Sequence, residues 1–367
     1  MIGRELVEAF AFTAPVVCAL VCMVMVLLDA RTRGRSREDR QLRLFLALAY
    51  FVTSLGWMGL VFYTIYPRVF IYYHSVFLLT LMLDQVLFYR FVAILTGTGE
   101  YRRFGRLHLT IPLGIVAVSV IFDFAVPVSL QAAVVYGDDA SGTWFRVMYA
   151  VTTLVFVVYN TVYPALSLRN IRRYKRCVVN YSSDARRSSL GWLALMQALI
   201  LVCVPVSLAG LLFRVPVFAT NYFVWLGALP TFVFYLILCY NLLDDNYVII
   251  RQDAGEEEYP PDKSIPPGRA RFTRYMREKK PYLNPKLRIT DLAAGMHTNR
   301  SYLSAFINKE FGMNFCRLIN RYRLAHLERL RLSPDNAGKS KMELVIMAGF
   351  SNYRSYLRVK EEERLVN

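Results

Sequence analysis

The sequence predicts an all-α protein in two parts. A seven-helix transmembrane bundle is expected over residues 1–243. Beyond an acidic, proline-rich linker at 244–270, a small all-helical domain at 271–367 is expected to hold two helix-turn-helix units. Three observations carry this. The chain of 367 residues is 55% hydrophobic, with mean hydropathy +0.33, yet its formal net charge is +17. One globule does not reconcile those values, whereas an apolar membrane part joined to a basic soluble part does. Apolar runs of bilayer-spanning length fill the first two thirds of the chain. Finally, one tetrapeptide occurs twice near the end, as Arg300-Ser301-Tyr302-Leu303 and Arg354-Ser355-Tyr356-Leu357.

The first apolar run extends from about Glu8 to Leu28. It reads as a retained span, because Arg4 is followed by Glu5 and Glu8 and no small-residue cleavage pattern follows. Further runs lie at about 44–66, 69–95, 107–130, 144–168, 189–213 and 221–243. The loops between them differ in charge. The first carries Arg31, Arg33, Arg35, Arg37, Arg40 and Arg43, the third Arg102, Arg103 and Arg106, and the fifth a series from Arg169 to Arg187. The even-numbered loops are nearly bare of cations. Positive charge is retained on the cytoplasmic side, so the expected topology has the N-terminus outside and the C-terminus inside. The outer loops are short, so an outside signal would be small or lipid-like, or would come from a partner protein.

Polar residues within the spans are candidate sensor elements: Asp84 and Gln85 in the third run and Asp123 in the fourth. A carboxylate at mid-bilayer costs roughly 2.5–3.5 kcal/mol, so each is expected to face the bundle interior. They read either as a ligand or proton site, or as interhelical partners, such as Asp84 with Arg90 or Arg146. The six cysteines form no CxxC pair and read as small buried hydrophobes, and the four histidines do not cluster, so no metal or cofactor is expected. Hydrolase, phosphate-loop and zinc-protease signatures are missing from the sequence, and an enzyme is not expected.

The linker joins Asp244, Asp245, Asp253 and Glu256-Glu257-Glu258 to Pro260-Pro261 and Pro266-Pro267-Gly268. That composition reads as an extended polar tether. From Arg269 onward, Lys and Arg outnumber Asp and Glu by more than two to one. Helices are expected near 269–279, 285–288, 290–296, 299–309, 314–331, 342–348 and 352–362, with Asn284-Pro285 and Ser333-Pro334 as helix starts. A helix that enters the major groove reads bases from its first turn and a half. In the first unit this places Thr298, Asn299, Arg300, Ser301 and Ser304 at the DNA; in the second, Asn352, Tyr353, Arg354 and Arg358. Arginine reads guanine with two hydrogen bonds and asparagine reads adenine; alternatively the arginines only neutralise phosphate. Leu303, Phe306, Ile307 and Leu357 are expected in the core. Arg317, Arg321, Arg323, Arg329 and Arg331 are expected on the basic face of the connecting helix.

Several segments in order resemble the DNA-binding domain of AraC-family transcription regulators. They are Pro281-Tyr282-Leu283-Asn284-Pro285, Leu292-Ala293, Tyr302-Leu303-Ser304, Phe306-Ile307-Asn308, Phe311-Gly312-Met313-Asn314-Phe315, Tyr322-Arg323-Leu324 and Gly349-Phe350-Ser351. The resemblance covers about a quarter of the chain. It implies sequence-specific promoter binding and control of transcription through RNA polymerase. The chain departs from the family at Val345, where alanine is usual, and at Glu361-Glu362-Glu363-Arg364, where the family closes with a Gly-x-x-Pro segment.

Together these features lead us to expect a multi-pass protein of a bacterial cytoplasmic membrane, a one-component regulator whose DNA-binding domain lies in the cytoplasm. Its expected partners are promoter DNA, RNA polymerase, membrane lipid, a second copy of itself as a homodimer, and a small or lipid-like signal. The competing expectation is a membrane protein whose helix-turn-helix domain mediates protein–protein interaction.

Overall fold

The structure, a computed structural model, describes residues 2–32, 34, 36–97, 107–136, 142–212, 221–250 and 268–365. It is all-helical, and no strand occurs among the described residues. The chain divides into two compact units. The first comprises Met1–Ile171 and Gly191–Ile249, the second Arg172–Leu190 and Ile250–Asn367.

The first unit contains α1 (Ile2–Thr32), α2 (Arg37–Ile65), α3 (Pro67–Thr96), α4 (Leu107–Ala125), α5 (Val128–Tyr136), most of α6 (Gly142–Cys177), α7 (Gly191–Leu212) and α8 (Asn221–Leu243). Among the described residues, four helices are long and apolar enough to cross a membrane: Phe10–Thr32, Arg37–Ile65, Pro67–Thr96 and His108–Ala125. Their outward surfaces show Val17, Val21, Leu48, Ile111, Ile121 and Phe124. Large apolar side chains left bare on that scale are what helices crossing a membrane present. Side chains on α2 and α3 interlock closely, since a Cβ at Gly59 would collide with the Phe77 ring.

Two sequence expectations are corrected here. The run at 107–130 is not one helix, because it breaks at Pro127, which has no N–H to continue the ladder. Gln131 Nε2 caps the loose carbonyls, donating to Asp123 O and Val126 O at 2.7 Å each. Arg43 is not a loop charge either. It is fully buried in α2, paired with Asp29 at 2.6 Å, Asp39 at 2.8 Å and Asp245 at 3.0 Å, and it donates to Tyr247 Oη at 2.6 Å. That cluster holds Asp245 and Tyr247 against the helix ends, so residues 244–249 belong to the first unit rather than to a tether. Most of the expected tether, at 251–267, lies outside the described residues.

The second unit contains α9 (Arg269–Lys279), α10 (Ile289–Gly295), α11 (Arg300–Phe311), α12 (Phe315–Leu332), α13 (Lys341–Met347) and α14 (Tyr353–Arg364). The helix expected at 285–288 is instead a 3-10 turn at Pro281–Leu283, and Asn284 closes that turn. Two small cores form. Phe272, Met276, Leu292, Leu303, Ile307 and Ile319 belong to the first, and Leu344, Val345, Ala348, Phe350, Tyr356 and Val359 to the second. α12 serves both, giving Phe315, Leu318 and Ile319 to one and Leu327 to the other. At 1.5 Å per residue its 18 residues make a rigid strut of about 27 Å.

Candidate functional site

The pairs α10–α11 and α13–α14 are built alike. Each short helix ends in the same two backbone bonds: His297 N to Ala294 O (3.1 Å) and Thr298 N to Ala293 O (3.0 Å), then Gly349 N to Ile346 O (2.9 Å) and Phe350 N to Val345 O (3.3 Å). The residue at the turn has positive φ in both, His297 at 51° and Gly349 at 92°. Each longer helix starts at an asparagine cap. Asn299 Oδ1 accepts from Tyr302 N and Asn352 Oδ1 from Ser355 N, both at 2.8 Å.

These caps set a register that the repeated tetrapeptide hides. Arg300 is the first residue of α11, but Arg354 is the second of α14. Leu303 is therefore matched by Tyr356, and both are buried, while Leu357 is turned outward and is 47% exposed. The expectation that Leu357 enters the core is overturned by this one-residue shift, about 100° around a helix.

The candidate DNA-contacting residues fall into three groups. Ser301, Asn352 and Arg354 are exposed on the first turns, and Asn299, Ser304 and Tyr353 are half-buried there. The side-chain oxygens of Asn299 and Asn352 each accept one cap bond, which fixes the amide orientation and leaves the N–H groups turned away from the cap. Thr298 is buried at the turn, where Phe350 sits in the other pair, and it does not reach the surface. Arg300 and Arg358 are half-buried, and both touch a segment far away in sequence.

That segment joins α6 to α7. After a 3-10 turn at Val178–Asn180, it lies across both helix pairs. Its backbone pairs with the residues before α10: Ser183 N donates to Leu287 O and Ile289 N to Tyr181 O, each at 3.0 Å, around a Ser182–Arg288 antiparallel bridge. The Arg300 guanidinium lies 4.6 Å from the centre of the Tyr181 ring and donates to its hydroxyl. Ser351 Oγ donates to Asp184 Oδ2 at 2.7 Å, and Arg358 pairs with Asp184 Oδ1 at 3.8 Å. Burial pushes the Arg300 guanidinium below its ordinary pKa.

Arg323 anchors the segment. It was expected on the basic face of α12 but is 2% exposed. It donates to Ser183 O (3.2 Å), Ser183 Oγ (2.9 Å), Tyr282 O and Asn284 O (2.8 Å each). Desolvation lowers its pKa to about 10, which still leaves it charged at neutral pH. In the same groove as Asp184 and Arg323, Glu363 pairs with Arg317 at 2.9 Å and Arg321 at 3.5 Å, so part of the unusual acidic ending braces α14 against α12.

In the first unit, Asp84 and Gln85 line a cavity of about 480 Å³ with Thr53, Trp57, Asn160 and Tyr235. Asp84 accepts from Thr53 Oγ1, and Trp57 Nε1 lies 3.2 Å from Tyr235 Oη. Asp123 is not part of that cavity. It accepts from Ser75 Oγ, which also bonds Ser119 Oγ at 2.8 Å. The sensor candidates are thus split, with Asp84 and Gln85 at a cavity and Asp123 in an interhelical cluster.

Sequence reasoning missed Tyr181, Asp184 and the role of Arg323. The loop stood out only for its cations. The turn-forming run Asn180-Tyr181-Ser182-Ser183-Asp184, polar within a basic loop, is the signal that could have singled it out. Compared with protein-family models, curated proteins and solved structures, the chain matches none.

Proposed function

We propose that the chain is a membrane-embedded transcription regulator. The two helix pairs are helix-turn-helix units that bind promoter DNA, and the first unit is a seven-span domain that senses a signal. One observation carries the reading: both pairs share turn bonds and asparagine caps, and both send the polar, cationic first turn of their longer helix out of the core. Such a first turn is the part of a recognition helix that meets base edges and phosphates. The resemblance to AraC-family DNA-binding domains and the excess of cations after residue 269 support the same reading. The loop charges support a C-terminal domain in the cytoplasm, even with Arg43 removed from the tally. The cavity beside Asp84 supports a small or lipid-like signal as ligand of the membrane part.

The test uses the full chain in lipid nanodiscs and a labelled duplex carrying a bound promoter found by occupancy mapping in cells. Binding should weaken steeply with salt. Arg354→Ala should weaken it by about tenfold and reduce the salt slope by about one. Salt-insensitive binding, or an Arg354→Ala variant indistinguishable from the parent, overturns the reading and favours a protein-docking role.

A further inference from the structure

We infer that the 178–189 segment is a built-in competitor for DNA. It keeps Arg300 and Arg358 on the chain's own Tyr181 and Asp184, so duplex binds at full strength only when those two side chains give way. The inference rests on the DNA-binding reading above and adds its regulation.

The segment has two parts with different strengths. Its backbone is fixed by the bridge at Ser182 and by the buried Arg323, whose guanidinium would lose two of its acceptors if Ser183 left. The anchor therefore stays in place. The contacts at the site are of another kind. Tyr181 meets Arg300 through its ring face and hydroxyl. Asp184 meets Arg358 across 3.8 Å, with side chains 14% and 26% exposed, and Arg358 shares itself with Glu362 of its own helix at 3.7 Å. Both are side-chain contacts at the edge of solvent, which a phosphate replaces with a stronger charge-assisted bond. Asp184 also accepts from Ser351, next to the Asn352 cap, so one carboxylate reaches the entry to the second recognition helix. Tyr181 and Asp184 are three residues apart, and they engage Arg300 of the first pair and Arg358 of the second. A single segment thus competes at both units.

The ends of the segment lead directly into α6 and α7, so a change in how those helices are held changes how firmly Tyr181 and Asp184 are presented. The same segment carries Arg186 and Arg187, whose charge favours DNA. Deleting the loop would mix the two effects, and point substitutions separate them.

The experiment measures anisotropy of a labelled mixed-sequence duplex with the full chain in nanodiscs at fixed low salt. Tyr181→Ala changes no charge and is expected to tighten binding about threefold to tenfold, with Tyr181→Phe falling between it and the parent. Asp184→Asn should tighten binding more than Glu361→Gln, which removes one exposed negative charge on α14 that does not line the groove with Ser183 and Asp184. The Tyr181→Ala, Asp184→Asn pair should exceed either single variant. Tyr181→Phe also guards against a misfolded Tyr181→Ala protein, because it keeps the packed ring. If the parent binds duplex and the Tyr181 variants bind no tighter, the segment is only structural and the inference fails while the DNA-binding reading stands. If no form binds duplex in a salt-dependent manner, both fail.

Discussion

The two helix pairs of the second unit share one turn geometry but solve it with different residues. In the first, His297 accepts a left-handed backbone with φ 51° and has room for its side chain, which is exposed. In the second, Gly349 takes φ 92° with its Cα against the 281–283 turn, where a Cβ would collide with Tyr282 O and come within 2.7 Å of Leu283 Cα. The lesson is that a repeated motif need not repeat its constraints. One turn faces solvent and tolerates a side chain. The other lies against the backbone of the 281–283 turn and does not.

The comparison breaks most completely if the support common to both pairs is removed. Arg323 holds the carbonyls of Ser183, Tyr282 and Asn284, and its guanidinium lies 5.9 Å from the centre of the Phe350 ring. Arg323→Met should destabilise the second unit by about 3–5 kcal/mol, because buried acceptors lose their donor. Thermal or denaturant unfolding of the full chain reads this, and a loss below 1 kcal/mol would remove Arg323 from its place as anchor.

A sharper cut separates the turns. Gly349→Ala should cost about 2–4 kcal/mol, since it adds both a collision and a disfavoured φ. The matching change His297→Gly relaxes a left-handed residue and should stay within about 1 kcal/mol of the parent. Equal effects from the two variants would mean that the turns are not distinguished by packing. The smallest expected difference lies at the caps. Asn299→Ala and Asn352→Ala should each cost about 1 kcal/mol, seen as faster amide exchange at the start of α11 and α14 respectively. Their near equality is the prediction, because both asparagines make the same 2.8 Å bond.

Much of this was open to reading from the chain alone. The apolar runs that became long helices, the basic final third, the helices of the second unit to within a residue or two, apart from the one expected at 285–288, and the asparagines beside the first turns all follow from local pattern and composition. Local pattern also misled. The repeated Arg-Ser-Tyr-Leu located α11 and α14, yet aligned them one residue out. Burial depends on the distance from the cap, and the two caps stand one residue apart relative to that motif.

What the amino-acid order determined by itself is where the chain coils into helices and which faces are apolar, since hydrogen bonding to i−4 and side-chain periodicity act over a few residues. Only the tertiary structure decided what three arginines do. Arg43 became a buried link to Asp245 and Tyr247, Arg323 an anchor for a distant loop, and Arg300 a partner of Tyr181. Each outcome depends on groups more than a hundred residues away in the chain, and no local rule measures that distance.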